Sequence, residues 1–201
     1  MKHLVLSTLI TLLPLSITPL HAAEEQAEPT GPRFAVLVPE RIDVDTYWYY
    51  YSTETQHIVQ SAIEKALIKA GYDVVDLAMQ QSLFKRGRDP LQVTDPDIAV
   101  RLGNKLLATH VIAGQAVATH AGITEAYGVP VNRYAADISV KLIRVSDQRV
   151  LDVETAESNG SGSGKQEAAR EALKELGADI AEQLTAVATK RVPLPDDGAD
   201  Q

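Results

Sequence analysis

Hydrophobic and polar positions alternate most clearly in the second half of the chain. Ala136, Ile138, Val140 and Leu142 interleave with Asp137, Ser139 and Lys141, the period of a strand with one buried and one wet face. Ser146-Asp147-Gln148 turns the chain, and Leu151, Val153 and Thr155 then alternate with Asp152 and Glu154, predicting an antiparallel hairpin. Asn159-Gly160-Ser161-Gly162-Ser163-Gly164 reads as a glycine-rich loop that ends the second strand. From Lys165 the period lengthens to that of a helix. Ala169, Ala172, Leu173, Leu176, Ile180, Leu184 and Val187 form one stripe, wide enough to cover the apolar face of the hairpin.

The first half adds elements around this block. Phe34 to Val38 is a continuous apolar run stopped by Pro39, the signature of a strand buried on both faces. A helix from Thr53 to Gly71 follows, with Thr53 or Ser52 as its cap, an apolar stripe of Val59, Ala62, Ile63, Ala66, Leu67 and Ala70, and Gly71 as its stop. Tyr72 to Leu77 reads as a short strand and Met79 to Phe84 as a helical turn or two. Asp95-Pro96 opens another helix with an N-cap and a first-turn proline. Val111 to Thr119 reads as an interior strand and Ile123 to Arg133 as a long connection. The predicted fold is α/β (α+β), a mixed sheet of about five strands in β-α-β-α-α-β-β-β-α order with helices packed on it. If the first and third strands are parallel, the chain after the first strand, the Ile123 to Arg133 connection and the glycine-rich loop all leave the sheet at one end.

The amino terminus changes the cellular setting. Met1-Lys2-His3, the largely apolar Leu4 to Leu20 and the small residues Ala22-Ala23 follow the order of a secretory signal peptide over residues 1–23. A retained membrane anchor is the alternative reading, against which Pro14 and Pro19 interrupt the apolar run. Residues 24–32 read as a flexible lead-in, 33–190 as a single α/β domain and 191–201 as a disordered acidic tail. No second run is long enough to span a bilayer after leader cleavage. The expected location is the periplasm.

Composition narrows the chemistry. The formal charge of −8 repels phosphate backbones, so nucleic acid is not an expected partner. With no cysteine, there is no disulfide, thiolate nucleophile or lipidated cysteine. Gly160 to Lys165 differs from a phosphate-binding P-loop, because Asn159 and Gln166 stand where that loop needs Gly and Ser or Thr. Ser163 reads instead as the cap of the last helix, with Gln166 completing a capping box, and Gly162, Ser163 and Gly164 remain a candidate anion site at the helix start. His57, His110 and His120 do not share a spacing that builds a metal site, and no Gly-x-Ser-x-Gly elbow is present. No catalytic residue, metal or cofactor is expected.

The oddest composition is Tyr47-Trp48-Tyr49-Tyr50-Tyr51. Five adjacent rings cannot all point inward from one strand or helix. They read either as a lid folded back over the core or as a contact patch, since tyrosine and tryptophan concentrate at interfaces and on sugar-binding surfaces. Tyr127 joins them as a candidate partner-binding residue.

With this order in place, Leu107 to Gly114, the long strand Ala136 to Val145, Arg149-Val150-Leu151 and Gly160 to Gly164 leading into Ala168-Ala169 carry a resemblance. The chain resembles the small α/β module shared by the amino-terminal domain of TolB, the curli secretion component CsgG, the penicillin-binding-protein activator LpoB and the middle domain of the flagellar assembly protein FlgT. The resemblance implies a noncatalytic cell-envelope protein that binds an envelope protein partner as an assembly or regulatory adaptor. The alternative is a periplasmic module that stacks a small ligand, glycan or peptidoglycan fragment on the aromatic run.

Overall fold

The computed structural model describes residues 31–43, 57–75 and 95–195. Its described elements are β1 (Arg33–Leu37), β2 (Glu40–Asp43), α1 (Ile58–Lys69), β3 (Asp73–Val74), α2 (Pro96–Lys105), β4 (His110–Ala126), β5 (Val129–Arg144), β6 (Arg149–Gly162) and α3 (Lys165–Arg191). They form a six-stranded mixed sheet in the order β3-β1-β4-β5-β6, with β2 also paired to β4. β1, β2 and β3 lie parallel to their neighbours, and β4, β5 and β6 form an antiparallel meander. The α/β class and mixed sheet are as the sequence predicts. The sixth strand, β2, is too short and polar to stand out from the residues after Pro39, and pairs only because β4 continues past β1.

The two faces of the sheet are covered unequally. Phe34, Val36, Ile112, Ile138, Val140 and Leu142 pack beneath α1 and α3, in the larger core. Ala35, Leu37, Val111 and Ile143 face the opposite way and pack with Ala99, Val100 and Leu102 of α2. The continuous apolar run of β1 thus serves two cores, which is why it does not alternate. On α3, Ala169, Ala172, Leu173, Leu176, Ile180 and Leu184 are all buried, as their spacing predicts.

Several boundaries differ from the sequence reading for identifiable reasons. β4 does not stop at Thr119, and Ile123 to Arg133 is not a loose connection. The two strands continue as one ladder to a two-residue turn at Tyr127 and Gly128, where the partners are Ala126 and Val129. Both turn residues have positive φ, 55° and 77°, as the turn types that match strand twist require. The glycine-rich stretch is not wholly a loop either: β6 runs through Gly160 to Gly162, opposite Tyr134 and Asn132. A Cβ at Gly160 would stand 2.2 Å from the Ala168 carbonyl oxygen and 2.3 Å from the Ala172 nitrogen. Glycine is there because α3 lies directly on the strand. Ser158 completes this seat by donating its hydroxyl to the Ala172 carbonyl at 2.6 Å.

The helix starts also depend on distant residues. Asp95 caps α2 as expected, accepting from the Asp97 N–H. α1 begins at Ile58 rather than near Thr53, with His57 at the N-cap position making no side-chain cap bond. Its first N–H groups are satisfied from β2: Glu40 Oε1 accepts from Val59 N at 2.7 Å and from Gln60 N at 3.3 Å. At the carboxyl end, Val192 is buried and its carbonyl accepts from the Tyr72 hydroxyl at 3.0 Å, anchoring the chain beyond α3.

Candidate contact end of the sheet

The parallel pairing of β1 and β4 sends several segments to one end. β2 runs alongside β4 as far as Asp43 opposite Thr119, the β4–β5 hairpin extends farther, and β6 ends at Gly162 opposite Asn132 before α3 begins. Beyond Gly162 the hairpin has no neighbour on the β6 side among the described residues, so its last turn stands out from the sheet. A bulge between His120 and Gly122 marks where it leaves the body. Tyr134 is fully buried just below and its ring meets His120 at 5.2 Å between centroids, filling the base of the arm.

Above this base the side chains turn outward. Ile123 is 65% exposed, Val129 55% and Tyr127 completely. Tyr127 has the left-handed backbone conformation, which costs a bulky residue on the order of 1–2 kcal/mol and which asparagine or glycine adopts more readily. The fold therefore gains nothing from a tyrosine there. Ile123 and Val129 were missed in the sequence because Gly128 and Pro130 read as loop residues. The two-residue spacing between Ala126 and Val129 was the available signal.

The candidate anion-binding residues lie beside the arm. Gly164 is the N-cap of α3, without a side-chain cap bond. The cap that the sequence assigns to Ser163 and Gln166 is formed differently: Glu167 reaches back and accepts from both the Ser163 N–H, at 3.0 Å, and the Ser163 hydroxyl, at 2.7 Å. The hydroxyl hydrogen bond, aided by the N–H groups of Gly164 and Ser163, lowers the pKa of Glu167. An exogenous anion at this turn would meet that carboxylate. Asn132 Nδ2 donates to the Ser163 carbonyl at 3.1 Å, tying the arm to the start of α3.

Tyr47, Trp48, Tyr49, Tyr50 and Tyr51 lie outside the described residues. β2, the last described strand before them, ends at Asp43 on the contact end, and α1 begins under the hold of Glu40. Glu40 Oε2 is buried and accepts no hydrogen bond from a described residue. Burial pushes its carboxyl up to about 7, against the opposing pull of the Val59, Ile58 and Gln60 N–H groups.

The histidines are separate. His110 is buried, stacked on Phe34 at 5.3 Å, with Nδ1 2.9 Å from the Thr109 hydroxyl, and burial followed by Arg144 lowers its pKa. No group of three or more acidic, histidine or cysteine side chains among the described residues is arranged to hold a metal. No described helix is long and apolar enough to cross a membrane.

No family model matches the chain. No curated protein matches it in sequence. Among solved structures, it is similar to lipoprotein GNA1162 from Neisseria meningitidis at 16% identity and a TM-score of 0.44, over 77% of this chain and 99% of that one. The LpoB C-terminal domain from Salmonella enterica matches at 14% identity and 0.41, over 67% and 87%. A PelC dodecamer from Paraburkholderia phytofirmans matches at 19% and 0.39, over 77% and 89%. LpoB, named above for the sequence resemblance, is thus also among the structural neighbours. At these scores the likeness carries no functional argument.

Proposed function

We propose that the protein is a noncatalytic component of the bacterial cell envelope, exported to the periplasm through a cleaved leader, that binds a protein partner as an assembly or regulatory adaptor. Its contact surface is the end of the β4–β5 arm. The observation that supports this reading is Tyr127, a fully exposed ring in a backbone conformation that disfavours it, with Ile123 and Val129 also exposed, on opposite faces of the arm. A side chain that burdens its own turn and stands fully exposed has its use outside the fold. Large aromatic side chains on a projecting rigid element are the residues that anchor protein interfaces. Tyr47 to Tyr51 belong to the same proposal by sequence.

The test is site-specific photo-crosslinking in cells, with the reactive residue at position 127 and a control at the exposed Glu182 of α3. One envelope protein captured from 127 and not from 182, and lost when Ile123 and Val129 are replaced by serine, is the expected result. Equal background from both sites overturns the adaptor reading. Retention of the purified protein on insoluble peptidoglycan, abolished by replacing Tyr47 to Tyr51 with alanine, would establish the glycan-binding alternative.

A further inference from the structure

The sheet ends in an edge that the described residues leave open. β6 is the outermost strand, and no described strand lies beyond it. The hydrogen-bond phase of the sheet shows which groups line that edge. Val145 N donates to Thr109 O, so the odd-numbered residues of β5 bond toward β4 and the even-numbered ones toward β6. Through the register, the even residues of β6 from Asp152 to Gly162 complete that ladder, and Val153, Thr155, Glu157, Asn159 and Ser161 present their N–H and C=O groups outward. One local bond agrees with this phase: the Val153 N–H turns to the Asp152 carboxylate at 3.0 Å instead of to β5.

Natural sheets usually blunt such an edge with proline, lysine, a bulge or a covering element. From Val153 to Ser161 there is no proline or lysine, and the register irregularity lies before this stretch, near Leu151. Nine residues leave roughly 30 Å of regular template. The strand itself is acidic at its middle, while Lys141 and Arg133 of β5 stand opposite its two ends, Val153 and Ser161. Glu154 and Glu157 stand on the edge strand, and Asp137 lies directly opposite Glu157 on β5, a like-charge cross-strand pair that disfavours the sheet by itself. None of these three carboxylates forms a salt bridge with a described residue.

We propose that the outer edge of β6, from Val153 to Ser161, receives an extended basic segment of a partner protein as an additional strand. Main-chain hydrogen bonds to Thr155, Glu157, Asn159 and Ser161 supply the template, and Lys or Arg side chains on the incoming strand relieve the Asp137–Glu157 pair. This surface is distinct from the arm tip and does not depend on the reading given to it.

The probe is an end-capped nonapeptide alternating lysine and valine, titrated into the full chain at 0.15 M ionic strength, where distant surface charges are largely screened. Amide exchange by NMR reads the site. Binding should slow exchange at Thr155, Glu157 and Asn159, and a glutamate–valine peptide should not bind. Two perturbations should each weaken binding at least tenfold: N-methylation of the peptide backbone, which keeps its charge, and Thr155→Pro, which removes an outward N–H that β5 does not use. The methylated peptide leaves the protein untouched and so covers the case in which Thr155→Pro unfolds it. Equal binding of the methylated peptide shows charge adhesion alone and overturns the proposal. So does absence of binding, or protection of these amides without peptide through self-association that Thr155→Pro abolishes.

Discussion

Replacing Glu40 by Gln removes a titration from the base of α1 while leaving an acceptor for its amides. In the folded chain, burial raises this carboxyl from 4.5 to about 7. The folded state therefore holds a proton here more tightly than the unfolded state between those two values. Stability from this group is fully present below pH 4.5 and is lost as pH rises through 7. A displacement of that size corresponds to about 3 kcal/mol. His110, whose pKa is lowered by burial and Arg144, acts with the opposite sign, since its neutral folded form is favoured as pH rises toward 6.5. The wild-type profile is a sum of such contributions, so the informative quantity is the difference between variant and wild type. Urea unfolding of both proteins, followed by circular dichroism at pH 4.5, 5.5, 6.5 and 7.5, measures it. The glutamine amide of the variant places an NH2 where Oε2 lacks a partner among the described residues, which adds a fixed offset at every pH. Against that offset, Glu40→Gln should gain about 3 kcal/mol on wild type between the lowest and highest pH. Parallel profiles would refute the reasoning and mean that the carboxylate is ionised in the folded protein at no cost.

Three further outcomes follow from the geometry. Gly160→Ala places a methyl against the α3 backbone at Ala168 and Ala172, and should lower stability by about 3 kcal/mol in urea unfolding, because helix and strand must separate. Ser158→Ala removes the buried hydroxyl bond to the Ala172 carbonyl and should cost about 1 kcal/mol by the same measurement. Asp147, hydrogen-bonded to Arg144 at 2.7 and 3.0 Å, has its pKa lowered to about 2, chiefly by that bond. Its side-chain carboxyl resonance should titrate near that value, and its contribution to stability should be present above pH 3.8 and fade as pH falls through 2; Arg144→Gln should return the titration toward the ordinary carboxylate range.

Legibility in the sequence followed the range of the interaction responsible. The strand alternation around Ile138, the stripe of α3 and the Asp95-Pro96 helix start are local patterns, and they appear where the sequence predicts them. Gly160 and Gly162 have a local reading as loop residues and a tertiary cause, the approach of α3, that no neighbouring residue reveals. The start of α1 is set by Glu40, 19 residues before Val59, so a search for a nearby cap finds Thr53 instead. At the candidate site, Tyr127 was legible as an aromatic in a turn region. The arm that displays it was not, because Pro130 and Gly128 conceal a ladder that Thr124, Val131, Ala126 and Val129 continue.

That ladder gives the molecule a mechanical character. β4 is 17 residues long, roughly 55 Å from the floor of the α2 core to the arm's end, and β5 accompanies it throughout. A force applied at Tyr127 acts on a lever whose fulcrum is the bulge at Ala121, with Tyr134 wedged beneath it. A small deflection of the arm would yield at that joint, and a large one would tilt β4 and β5 together, carrying the strain along the strands into both cores.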